Sequence, residues 1–215
     1  MKREPTAILI VEDHPIVRRG LKEILAAEYP RAVFGEAADS PLALVALERG
    51  KWDVVLLDIN IPGRGGLELL EDIRRLYPQT QVLIVSAYPE EEFAVRAFKL
   101  GAAGYLSKNQ APEELVTAVK KILDGGKYVT ASLAERLADA LNGWDANCAP
   151  HEALSQRELQ VLRLIANAKT VKQIATELAL SEKTVGTYRA RIAKKTGLAS
   201  NVELTRYAFQ HGMTQ

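Results

Sequence analysis

The 215-residue sequence contains a single cysteine, Cys148, so no internal disulfide can form and the fold rests on packing alone. That usage suits a reducing compartment, and a cytoplasmic location is expected. No apolar run approaches the roughly 20 residues that a bilayer-spanning helix needs, so no membrane partner is expected. Met1–Pro5 leads into the short apolar run Ala7–Val11, too brief for the core of a signal peptide. Internal repeats and low-complexity tracts are missing too. Hydrophobic residues make up 47% and charged residues 26%, close to ordinary globular usage, so widespread disorder is not expected. The length suits two domains, each able to bury its own core.

Net charge is small, +1, but it is unevenly spread. Met1–Lys127 carries net −2, Tyr128–Pro150 net −2, and His151–Gln215 net +5. A basic final third behind an acidic remainder suggests a polyanion partner for that third.

Up to about Gly126, short apolar runs alternate with helical patterns. Ala7–Val11, Ala32–Phe34, Asp53–Leu57, Gln81–Val85 and Ala103–Leu106 read as strands, three of them almost continuously apolar. Such runs fit strands buried on both faces of a parallel sheet. Helices are expected over Pro15–Ala27, Ser40–Arg49 (with Ser40 as cap), Gly66–Leu76, Glu90–Leu100 and Ala111–Leu123. The alternation predicts a doubly wound α/β domain over 1–126. Residues 127–152 read as a linker, with one amphipathic helix over Ala131–Leu141, a break at Asn142-Gly143 and an irregular stretch over Asn147–Pro150. From 153 to 215 every pattern is helical.

Polar residues stand at the ends of the strands. Glu12 and Asp13 follow the first, Asp58 closes the third, Ser86 closes the fourth, and Lys108 follows the fifth. In an open parallel sheet ligands bind beyond the carboxyl ends of the strands, so these residues converge on one pocket. Three carboxylates crowded together call for a cation, and Mg²⁺ suits few carboxylates with waters and a phosphate oxygen. An aspartate there can act as nucleophile and form an aspartyl-phosphate. Lys108 would meet the phosphoryl oxygens, and Ser86 would supply a hydroxyl. Gly65-Gly66 and Pro62-Gly63 are expected to turn the chain past the pocket through positive-φ conformations.

Glu12-Asp13, the segment LLDINIPGRGGLEL, VSAY and GAAGYLSK resemble the receiver domain of bacterial response regulators over about Thr6–Gly126. The resemblance implies a flavodoxin-like, five-stranded parallel fold with Asp58 as phosphoacceptor. It further implies Mg²⁺ held by Glu12, Asp13, Asp58 and the Asn60 carbonyl, and Ser86, Tyr105 and Lys108 as switch residues. The chain departs from the common pattern at Asn109, where many receivers have proline.

In the last third, Ser155-Gln-Arg-Glu158 and Thr170-Val-Lys-Gln173 fit capping boxes, and Ser181 reads as a third cap. The very short connection Ala179-Leu180 joins two helices, the second of them basic, which suits a helix-turn-helix. LSQRELQVLRLIA, VKQIATELALSEKTV and KKTGLASNVEL resemble the LuxR-type helix-turn-helix of the NarL/FixJ subfamily over about Leu154–Gly212. That resemblance implies a small all-α domain with a recognition helix over Ser181–Thr196 and a dimerisation helix over Val202–Gln210. Lys183, Thr184, Thr187, Arg189, Arg191 and Lys194 are the residues expected to meet double-stranded promoter DNA, with direct readout by Lys183, Thr187 and Arg189 or Arg191. Gly186, Thr187 and Ala190 are small where long side chains are common.

Together the two resemblances imply a two-component response regulator, phosphorylated at Asp58 by a sensor histidine kinase and binding DNA as a homodimer, and not an enzyme. Two other readings compete. A haloacid dehalogenase-type phosphatase needs a second aspartate where Asn60 stands. A regulator that acts through protein contacts alone would use the helical domain to bind another protein.

Overall fold

The computed structural model describes residues 5–62, 64–88, 90–110, 112–141, 151, 154–178, 180–211 and 213. The expected break at Asn142-Gly143, the stretch Asn147–Pro150, Gly63 and Ala179 lie outside the described residues. The chain divides into two compact units, Met1–Trp144 and Asp145–Gln215.

In the first unit, β1 (Ala7–Val11), β2 (Val33–Ala37), β3 (Val54–Leu57), β4 (Gln81–Ser86) and β5 (Gly104–Ser107) form one parallel sheet in the order β2-β1-β3-β4-β5. Between them run α1 (Pro15–Glu28), α2 (Ser40–Arg49), α3 (Gly66–Leu76) and α4 (Glu90–Lys99), followed by α5 (Pro112–Leu123). Ile8, Leu9, Ile10, Val54, Val55 and Leu57 are fully buried, because helices cover both faces of the central strands. Burial of one such side chain contributes about 1.5–3 kcal/mol, so β1 and β3 anchor the core. The sequence order reverses between β1 and β3, and this places a crevice beyond their carboxyl ends.

Two local expectations change. β2 runs on to Ala37, pairing along the whole of β1 and with the Trp52 ring laid over Gly35. The cap of α2 is Asp39, whose side chain accepts from the Leu42 N–H at 2.8 Å. Ser40 instead is buried and donates its hydroxyl to the Arg64 carbonyl, tying α2 to the loop after β3.

Past Gly126 the chain stays on the first unit. The Tyr128 N–H donates to the Ala103 carbonyl at 2.9 Å, and Tyr128 bridges Gly104, which protects the free edge of β5. α6 (Ala131–Leu141) then packs against α4, with Leu133 fully buried.

The second unit holds α7 (Gln156–Ala166), α8 (Val171–Glu177), α9 (Glu182–Thr196) and α10 (Asn201–Gln210). α7 packs on α9 and α10, and α8 packs on α9. Val161, Leu162, Ile174, Val185, Ile192 and Leu204 make its core. Ser155, Thr170 and Ser200 each complete a reciprocal capping box, with Glu158, Gln173 and Glu203. Ser181 caps α9 through the Thr184 N–H, and Gly197 ends that helix at φ 73°.

Candidate functional site

The carboxyl ends of β1, β3 and β5 bring Glu12, Asp58 and Lys108 together, and Ser86 closes the neighbouring β4, its carbonyl accepting from the Lys108 N–H at 2.8 Å. Glu12, Asp58 and Ser86 are buried, and the Lys108 side chain is 15% exposed. Lys108 Nζ donates to Asp58 Oδ2 at 2.9 Å and lies 2.5 Å from Glu12 Oε2. Burial works against the ammonium, but its bonds to Asp58 and Glu12 and their charges outweigh that and hold its pKa above the usual lysine value. Lys108 therefore stays protonated.

The other Asp58 oxygen, Oδ1, is buried without a hydrogen-bond partner. Glu12, Asp13 and His14 offer further donor atoms within 4.8 Å of one another. A buried carboxylate oxygen in want of a partner, beside other acid oxygens, fits a hard divalent cation. Asp13 Oδ1 meets His14 Nδ1 at 2.7 Å, and Glu12 Oε1 meets the same nitrogen at 3.1 Å. The hydrogen bond to Glu12 and the charge of Asp13 raise the pKa of His14. Asn60 lies half-buried two residues beyond Asp58.

Gly66 is required by close approach and not by φ. A Cβ on it would lie 2.2 Å from the Asp58 carbonyl oxygen and 2.7 Å from Ile59 Cα. Gly65 has φ −51°, so the positive-φ turn expected of it does not occur. The Lys108–Asn109 peptide is trans, as are the others described. Tyr105 is fully buried, and its hydroxyl donates to the Tyr88 carbonyl at 3.0 Å. Sequence reading missed Arg18, which donates to the Glu12 carbonyl at 2.6 Å and to Glu36 at 3.2 Å. Its place one turn into α1, behind the acid pair, was the available signal.

On α9, helical spacing sets Lys183, Thr187, Arg191 and Lys194 on one exposed stripe, with Ala190 between them. Arg189 falls instead on the row of buried Val185 and Ile192, and is half-buried. Thr184 is half-buried, its hydroxyl 2.7 Å from that of Ser181. The Thr187 hydroxyl donates to the Lys183 carbonyl at 3.1 Å, so its methyl is the group left for an outside contact. Lys195 is spent on structure, since Nζ lies 2.6 Å from Glu158 Oε2.

Residues 8–120 match the family described as response regulator receiver domain, and residues 152–208 match the bacterial regulatory proteins of the luxR family. The chain belongs to the response regulators of the NarL/FixJ subfamily. It is 38% identical to the response regulator GacA of Pseudomonas aeruginosa over 206 residues, 96% of each chain. It is 35% identical to the response regulator UvrY of Escherichia coli, covering 96% of this chain and 94% of that one. Among solved structures it resembles RcsB of Salmonella enterica serovar Typhimurium bound to promoter rprA in the presence of phosphomimetic BeF3⁻. That match has 25% identity and a TM-score of 0.60, and covers 94% of this chain and 97% of the other. This response regulator thus joins a receiver to a LuxR-type DNA-binding domain and regulates transcription. Its family is not one of enzymes, which sets the phosphatase reading aside. No helix among the described residues is long and apolar enough to cross a membrane.

Proposed function

We propose that this response regulator is switched in the cytoplasm by phosphorylation of Asp58, and that the phosphorylated chain binds double-stranded promoter DNA as a homodimer. Residues 1–126 act as receiver, 127–152 as linker and 153–215 as DNA-binding domain. The observation that carries the reading is the split environment of Asp58, with one oxygen on Lys108 and the other buried without a partner.

The donor is a phosphohistidine of a sensor kinase, or a small acyl phosphate. An Asp58 oxygen attacks phosphorus while the P–N or P–O bond to the donor breaks, and the bonding pair leaves with the donor. Glu12, Asp13, Asp58 and the Asn60 carbonyl would hold Mg²⁺, which supplies charge neutralisation for the phosphoryl oxygens. Lys108, kept protonated by its acidic neighbours, meets the transferred group, and the Ser86 hydroxyl donates to it. Tyr105 already lies inward, so movement of Ser86 is felt at the Tyr88 carbonyl that Tyr105 holds.

In the second unit, the α9 stripe enters the major groove, with Lys183, Arg191 and Lys194 reaching phosphates and base edges and the Thr187 methyl against the groove floor. Arg189, set behind the stripe, and Thr184, at the capped end, contact DNA only at the margin. Val202 and Phe209, 78% and 75% exposed on α10, offer the apolar surface for a two-fold dimer. The RcsB relative bound to promoter in the presence of BeF3⁻ supports the link between the phosphorylated state and DNA.

Genome-wide binding of the wild type compared with Asp58→Asn tests the proposal. Occupancy should collapse at most sites in the variant. Unchanged occupancy would overturn it.

A further inference from the structure

β4 ends at Ser86 and α4 begins at Glu90. Ser86 Oγ accepts from the Tyr88 N–H at 3.2 Å, and the Tyr88 carbonyl accepts from the Tyr105 hydroxyl. The Tyr88 ring rests on that of Phe93 on α4, with centroids 5.0 Å apart. This short segment thus touches the Ser86 hydroxyl, the buried tyrosine and α4 at once.

Glu90 joins the same segment to the linker helix. Both its carboxylate oxygens accept from Thr130 Oγ1 at 2.9 Å, and Oε1 also accepts from the Ser132 hydroxyl. Thr130 stands just before α6, and its Oγ1 accepts from the Leu133 N–H at 3.2 Å. A carboxylate at that place lies at the positive end of the α6 dipole, where an anion is favoured. Leu133 buries itself beside this clasp. Among the described residues, α6 is the last helix before those of the DNA-binding domain.

We infer that Glu90 is a positioning residue that holds α6 on α4 or lets it go according to the state of the Asp58 pocket. The inference rests on the reading of Asp58 as phosphoacceptor given above. When the Ser86 hydroxyl is drawn to a phosphoryl oxygen, the Tyr88 N–H loses its acceptor. The segment resettles and carries Glu90 with it. Hydrogen bonds weaken steeply with distance and angle, so a shift of about an ångström removes the carboxylate from both hydroxyls. α6 then loses this polar tie to α4, and the linker gains freedom to place the DNA-binding domain.

Hydrogen exchange over residues 131–141 of the full chain tests this, with and without beryllofluoride and Mg²⁺, the beryllofluoride standing for the phosphoryl group. Fluorine NMR reports independently whether beryllofluoride is bound at the pocket. In the wild type, exchange in α6 should rise about tenfold on binding. Glu90→Ala should show the raised exchange already without beryllofluoride, and no further rise with it. Ser132→Ala, which leaves the Thr130 cap in place, should fall between the two. Bound beryllofluoride with unchanged α6 exchange in the wild type would overturn the inference and leave Asp58 as phosphoacceptor. A full wild-type rise in Glu90→Ala would also overturn it, since a merely structural residue would leave the ligand's effect intact. If beryllofluoride does not bind at all, the reading of Asp58 fails and this inference falls with it.

Discussion

Lys195 near the end of α9 and Glu158 in the first turn of α7 meet at 2.6 Å, and through that contact α9 is fixed to the first helix of its unit. Glu158 is buried and also accepts from the Ser155 N–H at 2.6 Å, so one carboxylate closes a helix cap and an interhelical ion pair. Burial alone would raise its pKa. The hydrogen bonds from Lys195 and Ser155 outweigh burial and hold it below the usual value of 4.5. A depressed folded pKa adds stability that is complete above about pH 4.5 and is lost as pH falls through the folded value. The DNA-binding unit should therefore weaken in acid below that pH. Lys195→Met leaves a buried carboxylate without its cation and should cost about 2 kcal/mol at neutral pH, with a flatter acid limb. Urea unfolding of the full chain followed by circular dichroism across pH measures both. A variant as stable as the wild type would show that the pair contributes nothing.

Gly66→Ala should damage the Asp58 pocket without touching any of its side chains. The added Cβ meets backbone at 2.2 Å, the carbonyl of Asp58 itself, and no rotamer can relieve it. Either α3 or the loop after β3 must shift. A stability loss of about 2–3 kcal/mol is expected, together with acetyl-phosphate labelling slowed at least tenfold. Thermal melting and a labelling time course would show the two effects together. Normal labelling would mean that the loop yields freely.

Lys108→Met removes the cation shared by Glu12 and Asp58. Mg²⁺ would then face the same carboxylates without a competing charge, so its affinity by calorimetry should rise several-fold. Labelling should still slow by at least tenfold, because the phosphoryl oxygens lose their ammonium. Opposite signs in the two assays separate Lys108 from a residue that merely keeps the pocket folded. A fall in both would indicate collapse.

Much of the fold was legible because its cues are local. Periodicity and flanking residues predict helices over Ser40–Arg49, Gly66–Leu76 and Ala131–Leu141, and the structure has helices over those residues. The near-continuous apolar runs of the inner strands predict a parallel sheet covered on both faces, but its order, β2-β1-β3-β4-β5, is set by strand pairing. Gly35 and Glu36 break the apolar pattern of β2, so the sequence predicts a shorter strand, and only pairing with β1 and the cover of Trp52 complete it. What the sequence hid depends on distant pairs. Nothing local says that Lys195 belongs to Glu158 and not to DNA, or that Glu90 reaches Thr130 and Ser132. Spacing along α9 does carry the separation of Arg189 from Arg191, once the buried row of Val185 and Ile192 is known. Ala168 takes φ 59° after α7, a conformation that favours glycine.

The most direct measurement is acetyl-phosphate labelling with Mg²⁺, read by intact-mass spectrometry and peptide mapping. The wild type should take up one phosphoryl group, on the peptide that holds Asp58, and lose it in hydroxylamine as acyl phosphates do. Asp58→Asn should take up none. Label that persists in the variant, or that maps to another residue, would contradict the account.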